Sequence, residues 1–450
     1  MAAFLQNGVH DYTDAERYVP PESPQVREHL RWFTGLKLGL MMHWSPATQL
    51  GLMESWPLCD GDGDWSQAEI DWTPDMDEFR CQYWNLNKTF HPIRFQPDKL
   101  AKTAKECGFR YILFTTKHHD GFCMFDTAET GYKITAPDCP FSASPNADVT
   151  RALFDACRAE GLGVSAYFSK PDWHSDFYWH RKFCIGKTRN VNYDVFKDPA
   201  LWESFVRYTH RQLQELTSRY GKIDVLWLDG GWVRPDNLGQ DIRLAEAVEA
   251  IRATTQPHLI VCDRTVGGAY ENIVTPEQSI PDEPLGVPWE ACVTLGRYFS
   301  FHYDDEYKST REVAHILLKI VSNGGSLALN VTPRPDGAIP PQALSVLSRL
   351  GRWLRIHGEG IYGSHSSALR SQENVRYTQV GETVYAYVMF NDNPHLPGRL
   401  FLRNPGGIQS VRLQRTGETI PFQQEGDWLI VDTSGVSMTG AEYADGFVLR

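Results

Sequence analysis

An α/β fold, a (β/α)8-like barrel followed by a C-terminal antiparallel β-sandwich domain, is predicted by three observations. From about residue 36 to 357, short apolar runs alternate with longer amphipathic ones, the pattern of strand–helix units wound on a parallel sheet. Six or seven such units fit within about 320 residues, which suits a closed barrel better than an open doubly wound sheet. After Gly363 the pattern shortens to alternating runs separated by Gly, Pro and Asn turns, the mark of an antiparallel β domain. The expected domains are therefore 1–360, the barrel, and 361–450, the sandwich. A chain of 450 residues is also too long for one ordinary core.

Taken in order, Leu36 to His43 reads as the first strand. Pro97 opens a helix that Gly108 closes, and Tyr111 to Lys117 is the next strand. A helix from Asp148 to Glu160 stops at Gly161, and Gly163 to Ser169 forms a third strand. Asp198-Pro199 sets a cap and a first turn for a long helix to about Tyr220. Asp224 to Asp229 is the fourth strand, a helix spans Asp241 to Thr254, and Leu259 to Arg264 is the fifth strand. An irregular stretch to about Tyr307 follows. A helix over Thr310 to Ser322, a strand over Ser326 to Thr332 and a helix over Gln342 to His357 complete the series. In the second domain Glu382 to Phe390, Arg399 to Leu402, Gln409 to Leu413 and Trp428 to Asp432 read as strands.

Composition narrows the function. With 44 basic and 56 acidic residues the formal charge is −12, which argues against nucleic acid as a partner, because phosphate backbones are captured by clustered Lys and Arg. A neutral ligand fits better. No apolar run is long enough to span a membrane, and residues 1–8 show no basic stretch leading into an apolar one, so no secretory signal is expected. The nine cysteines are odd in number and never spaced Cys-x-x-Cys, which speaks against a disulfide framework or a zinc cluster. A cytoplasmic location is expected, and a homo-oligomer is compatible with all of this. The dinucleotide fingerprint Gly-x-Gly-x-x-Gly is missing after the first strand, so no cofactor is expected. Twelve of the fourteen tryptophans precede residue 300, many beside His, Asp or Glu; aromatic faces among polar groups suit the stacking of sugar rings, although core packing explains any single one.

Chemistry in a barrel belongs at the C-terminal ends of its strands. Strand one ends in His43-Trp44, and a lone His there is more often a hydrogen-bonded core residue than a functional one. Strand two ends in Lys117-His118-His119-Asp120, four polar residues leaving an apolar run, for which packing offers no account. Strand four ends Trp227-Leu228-Asp229-Gly230-Gly231, where a carboxylate behind a buried run needs a partner or a reaction. Strand five ends in Asp263-Arg264, and the loop beyond carries Glu271, Glu277, Asp282, Glu283 and Glu290. Glycoside cleavage uses two carboxyl groups flanking the scissile bond, and Asp229 with one of these glutamates supplies such a pair. Metal hydrolysis is the competing use. Neighbours on a strand point to opposite faces, so His118 and His119 are not expected to share an ion unless the chain leaves the strand, and no metal site is expected.

Together, Lys117-His118-His119-Asp120-Gly121-Phe122, Leu226-Trp227-Leu228-Asp229-Gly230, Thr275-Pro276-Glu277, Trp289-Glu290-Ala291-Cys292 and Asn323 to Val331 resemble family 29 glycoside hydrolases, the retaining α-L-fucosidases. The resemblance spans about residues 36 to 357 in family order. It implies exo-acting release of terminal α-L-fucose from fucosylated oligosaccharides or glycoconjugates by double displacement. It also implies that Asp229 is the nucleophile and that His43, His118, His119, Tyr167, Trp227 and Arg264 bind the sugar. Glu54 and Trp56 resemble the family's Glu-Trp element with Ser55 inserted. For the acid/base, Glu277 matches one family placement and Glu271 lies near another, while Glu290 is expected to be structural. A sugar-binding protein without turnover is the alternative class.

Overall fold

The computed structural model describes residues 12–450; the stretch read as lacking a secretory signal lies outside them. Among the described residues, seven parallel strands form one sheet: β1 (Leu38–Met42), β2 (Tyr111–Lys117), β3 (Gly163–Ser169), β4 (Val225–Asp229), β5 (Ile260–Asp263), β6 (Glu290–Thr294) and β7 (Ser326–Asn330), in the order β5-β4-β3-β2-β1-β7-β6. The gap between the end strands β5 and β6 is filled by residues 271–278. Asn272 N–H donates to the Val261 carbonyl at 2.8 Å, while Glu290 and Cys292 N–H donate to the Val274 and Pro276 carbonyls at 2.9 and 3.0 Å. This irregular segment stands in the eighth strand's place and completes a (β/α)8-like barrel.

The stretch from Arg264 to Tyr307, expected to be irregular, thus holds β6 and the closing segment. It resists sequence reading because β6 opens on a buried glutamate and the closing segment contains Pro276, features that disfavour strands on propensity.

Strand residues alternate between two cores. Leu226 and Leu228 pack outward into the layer beneath the helices, whereas Val225 and Trp227 join Met41, Tyr111, Leu113, Tyr167, Ile260 and Cys292 inside the barrel. The same parity places Asp229 on the inner side at the end of β4. Gly39 leaves room for the Tyr111 ring, whose Cε2 would lie 2.1 Å from a Cβ at that position.

Helices α1 (Pro24–Leu36), α2 (Asp60–Gly63), α3 (Met76–Tyr83), α4 (Pro97–Glu106), α5 (Val149–Ala159), α6 (Pro199–Arg219), α7 (Leu244–Thr254), α8 (Thr310–Ser322) and α9 (Pro341–His357) accompany the strands. The first of them closes the barrel floor: Val26, Leu30 and Phe33 belong to the inner core, with Phe33 4.7 Å from the Tyr111 ring.

Beyond them, β8 (His365–Ser366), β9 (Val375–Val380), β10 (Thr383–Met389), β11 (Arg399–Arg403), β12 (Val411–Leu413), β13 (Phe422–Glu425), β14 (Trp428–Asp432) and β15 (Ala444–Leu449) form two antiparallel sheets, β12-β15-β10-β9-β8 and β11-β14-β13. They share a core of their own. The expected strands appear as β10, β11, β12 and β14. β15 escapes sequence reading because Asp445 and Gly446 interrupt its apolar pattern, yet it lies inside its sheet: Arg415 neutralises Asp445 at 2.8 Å. This sandwich docks on the outer helices, where Trp353 Nε1 donates to Ala444 O at 3.1 Å and Tyr387 OH donates to His357 O at 2.7 Å.

Candidate active site

Asp229 is carried to the barrel mouth by the regular alternation of β4. Its Oδ2 accepts the Tyr167 hydroxyl at 2.6 Å, and its Oδ1 accepts Arg264 Nη1 at 2.9 Å. Behind it the chain must turn sharply against the Pro171 ring. Gly230 sits at φ 87°, and a Cβ there would meet Pro171 Cδ at 2.3 Å, so this glycine accommodates a neighbouring loop.

Arg264, just past β5, is 3% exposed and ties the site together. Its Nη2 donates to Glu277 Oε2 at 2.6 Å, its Nε to Thr275 Oγ1 at 3.1 Å, and its guanidinium lies 4.4 Å from the Trp227 ring centre. One guanidinium therefore spans Asp229 and Glu277, two carboxylates contributed by different segments. Trp227 in turn stacks on Tyr167 at 5.2 Å.

The pocket in front of these groups is lined by His43, Glu54, Trp56, His118, Tyr167, Trp227, Asp229, Arg264 and Glu277, together with Met41, Cys292 and Phe299. His119 lies directly behind, its Nε2 3.7 Å from Asp229 Oδ2 and its ring 5.4 Å from Trp56. The structure thus brings together every sequence-derived candidate except Glu271. That carboxylate is 2% exposed and points into its own loop, accepting Thr13 Oγ1 at 2.6 Å, Gly267 N–H at 2.6 Å and Thr265 N–H at 3.2 Å.

The condition under which His118 and His119 were expected to share a site, that the chain leaves the strand there, is met. The β2–β3 register shifts between Thr115 and Lys117, a bulge that turns the chain out of strand geometry, and the strand ends at Lys117. Both rings then face the site, 4.2 Å apart, and one ligand atom from each lies within 4.8 Å of Asp229 and of the other. The outer members of that cluster serve the scaffold instead. Lys117 Nζ reaches Asp172 Oδ2 at 3.2 Å and Gln212 Oε1 at 3.1 Å, and Asp120 Oδ2 accepts Tyr83 OH at 2.9 Å.

Burial sets the charges. It pushes His43 down to about 3, aided by His118, and holds His118 well below the usual imidazole range, so both rings are neutral near pH 7. Glu54 is held well above the carboxylate range by burial and by the Glu277 and Asp229 charges. His43 Nδ1 and Glu54 Oε1 are buried with no hydrogen-bond partner among the described residues. Such groups are open to a polar ligand. Glu290 lies beneath the pocket, accepting Tyr111 OH and, at 3.2 Å, Trp227 Nε1. Burial raises it to about 7.

A family model described as alpha-L-fucosidase matches residues 6–359. The chain belongs to the alpha-L-fucosidase family. Similar to this fucosidase-family chain is the tissue alpha-L-fucosidase of Rattus norvegicus, 26% identical over 445 residues that cover 94% of this chain and 89% of the relative. Also similar is alpha-L-fucosidase isoenzyme 1 from Paenibacillus thiaminolyticus, with 28% identity, a TM-score of 0.76 and coverage of 95% and 99%. A GH29 alpha-L-fucosidase from Bacteroides thetaiotaomicron, captured as a covalent intermediate with 2-fluoro-fucosyl fluoride, shares the fold at 24% identity and TM-score 0.77, over 97% and 98% of the two chains.

Sequence reasoning missed Met41, Cys292 and Phe299. Parity would have found the first, two residues before His43 on β1; Cys292 required recognising β6; Phe299 comes from a loop with no periodic signal.

Proposed function

We propose that this family member is a retaining, exo-acting α-L-fucosidase in which Asp229 is the nucleophile and Glu277 the acid/base, releasing terminal α-L-fucose from fucosylated oligosaccharides or glycoconjugates. The observation that carries the reading is the pair Asp229 and Glu277, bridged by Arg264 at the mouth of a polar, aromatic-walled pocket. A pair close enough for one guanidinium to span suits the narrow separation of about 5–5.5 Å used by retaining enzymes.

In this reading Asp229 attacks C1 from the β face while Glu277 protonates the departing oxygen, giving a β-linked glycosyl ester. Water, deprotonated by Glu277, then attacks C1 from the α face, releases Asp229 and restores the α configuration. A sugar seated between the carboxylates has to displace the Arg264–Glu277 hydrogen bond so that Glu277 can face the glycosidic oxygen. Tyr167 and Arg264 keep Asp229 oriented for attack. His43, His118, His119 and Glu54 meet the hydroxyls, and Trp56, Trp227 and Phe299 offer an apolar wall to the C6 methyl. Glu271 is assigned to holding the 265–267 loop.

The chemistry needs no metal. Asp229 already faces the Arg264 cation at 2.9 Å, and a dication beside it would meet like-charge repulsion. All nine cysteines are free thiols, seven of them buried, which supports a reducing, cytoplasmic setting; cell fractionation tests it. The function is tested by hydrolysis of an aryl α-L-fucoside, followed by proton NMR of the first-released anomer. Release of α-fucose first supports retention, release of the β anomer overturns it, and absence of turnover by the folded protein favours a sugar-binding role.

A further inference from the structure

The barrel floor, at the opposite ends of the strands from Asp229, carries a second cluster that this chemistry does not use. His29 comes from α1, Asp224 immediately precedes β4 and His258 precedes β5. One ligand atom from each lies within 4.8 Å of the other two. His29 Nε2 and Asp224 Oδ1 are 2.8 Å apart, and the His29 and His258 rings meet edge to face at 4.7 Å. These groups border an open pocket of about 500 Å³ rimmed by Gln25, Glu28, Trp32 and Lys222.

Two of the three are positioned from behind. Asp224 Oδ2 accepts Val164 N–H at 2.7 Å, which turns Oδ1 toward the histidines. Trp32 stacks on the His29 ring at 4.7 Å. The Nε2 of His258 is buried without a hydrogen-bond partner among the described residues. Ligands fixed by outer contacts, with an imidazole nitrogen left over, are what metal sites require. The charge balance is equally telling. Lys222 Nζ lies 3.0 Å from Asp224 Oδ1, yet its side chain is 51% exposed, so the ammonium can swing into solvent when another cation takes its place.

We propose that His29, Asp224 and His258 form a binding site for a divalent transition ion of the zinc class, which ties α1 to the barrel floor. Two imidazoles and one carboxylate match the borderline softness of that class, and the fourth position faces the open pocket. The ion displaces the hydrogen that His29 shares with Asp224, together with the Lys222 ammonium. The site would be structural, because the length of β4 separates it from Asp229.

The test is a zinc titration of the full chain by calorimetry, a cobalt(II) absorption spectrum, and thermal melts with and without zinc. Zinc is expected to bind and to raise the melting temperature by about 2–5 °C. His29→Gln and His258→Gln are each expected to weaken binding about tenfold or more and to abolish that rise. Lys222→Met, which removes the competing cation, is expected to tighten binding about threefold or more. Aryl-fucoside turnover without zinc should be the same in all three variants and the wild type, which separates this site from His118, His119 and Asp229. No uptake at about 100 μM zinc, or equal affinity in the wild type and both histidine variants, overturns the proposal. Should a histidine variant fail to fold, Lys222→Met decides alone, since unchanged affinity there also overturns it.

Discussion

Strand β4 and the closing segment 271–278 deliver the two central carboxylates in opposite ways. β4 is regular: Val225 and Trp227 face inward, Leu226 and Leu228 face outward, and Asp229 follows the inward parity. The segment is not, since it holds β5 through Asn272 and β6 through Val274 and Pro276 with only scattered bridges. Within it, Glu277 turns toward Arg264 and Glu271 turns into its own loop. Regular backbone places its carboxylate by counting, whereas irregular backbone orients each carboxylate through individual hydrogen bonds.

The most severe challenge to this contrast is Asp229→Ala. Loss of the proposed nucleophile is expected to lower kcat by about 10⁴-fold or more with an unchanged circular dichroism spectrum. Activity within about tenfold of the wild type would remove Asp229 from its role and leave β4 as scaffold.

Substitutions in the closing segment sharpen the comparison. Glu277→Ala is expected to slow a natural fucoside by about 10²–10⁴-fold while sparing the first step on an aryl fucoside with a good leaving group. Added azide should restore turnover and yield α-fucosyl azide, because it attacks the β-linked ester on its open face. Glu271→Gln should show no such rescue. It loses an acceptor for buried loop N–H groups, so a stability decrease of about 1–3 kcal/mol is expected from denaturant melts. Azide rescue of a Glu271 variant and not of Glu277→Ala would exchange their roles.

Glu290, on regular β6, gives a smaller effect. Its folded-state titration is raised to about 7 from an ordinary 4.5, so the folded protein resists its ionisation. The stability linked to this group is present in full below about 4.5 and is lost as pH rises through about 7. Glu290→Gln should therefore gain stability relative to the wild type across that window, read by melts at each pH. A pH-independent difference would contradict the burial argument. The smallest effect concerns metal: EDTA should leave aryl-fucoside turnover unchanged, and loss restored by zinc would assign His118, His119 and Asp229 to an ion.

By itself the sequence determined the alternation of strands and helices, the change to antiparallel strands after the barrel, and the residues at the ends of β1, β2, β4 and β5. These features are local or periodic: an apolar residue at every second position, a Gly or Pro at a boundary, a polar residue where a buried run stops. The family motifs added the candidates that alternation could not rank. Tertiary structure decided the rest. It turned His118 and His119 to the same side through a bulge, made Lys117 and Asp120 part of the scaffold, and recovered β6 from a stretch without a clear strand pattern. It separated Glu277 from Glu271, which lie six positions apart in one acidic loop. The physical reason is that these outcomes depend on partners distant in sequence. Thr13 captures Glu271 across 258 positions, and Tyr111 and Trp227 hold Glu290 across 179 and 63. No local pattern encodes which buried donor will reach a given carboxylate, because that is settled only when the barrel closes.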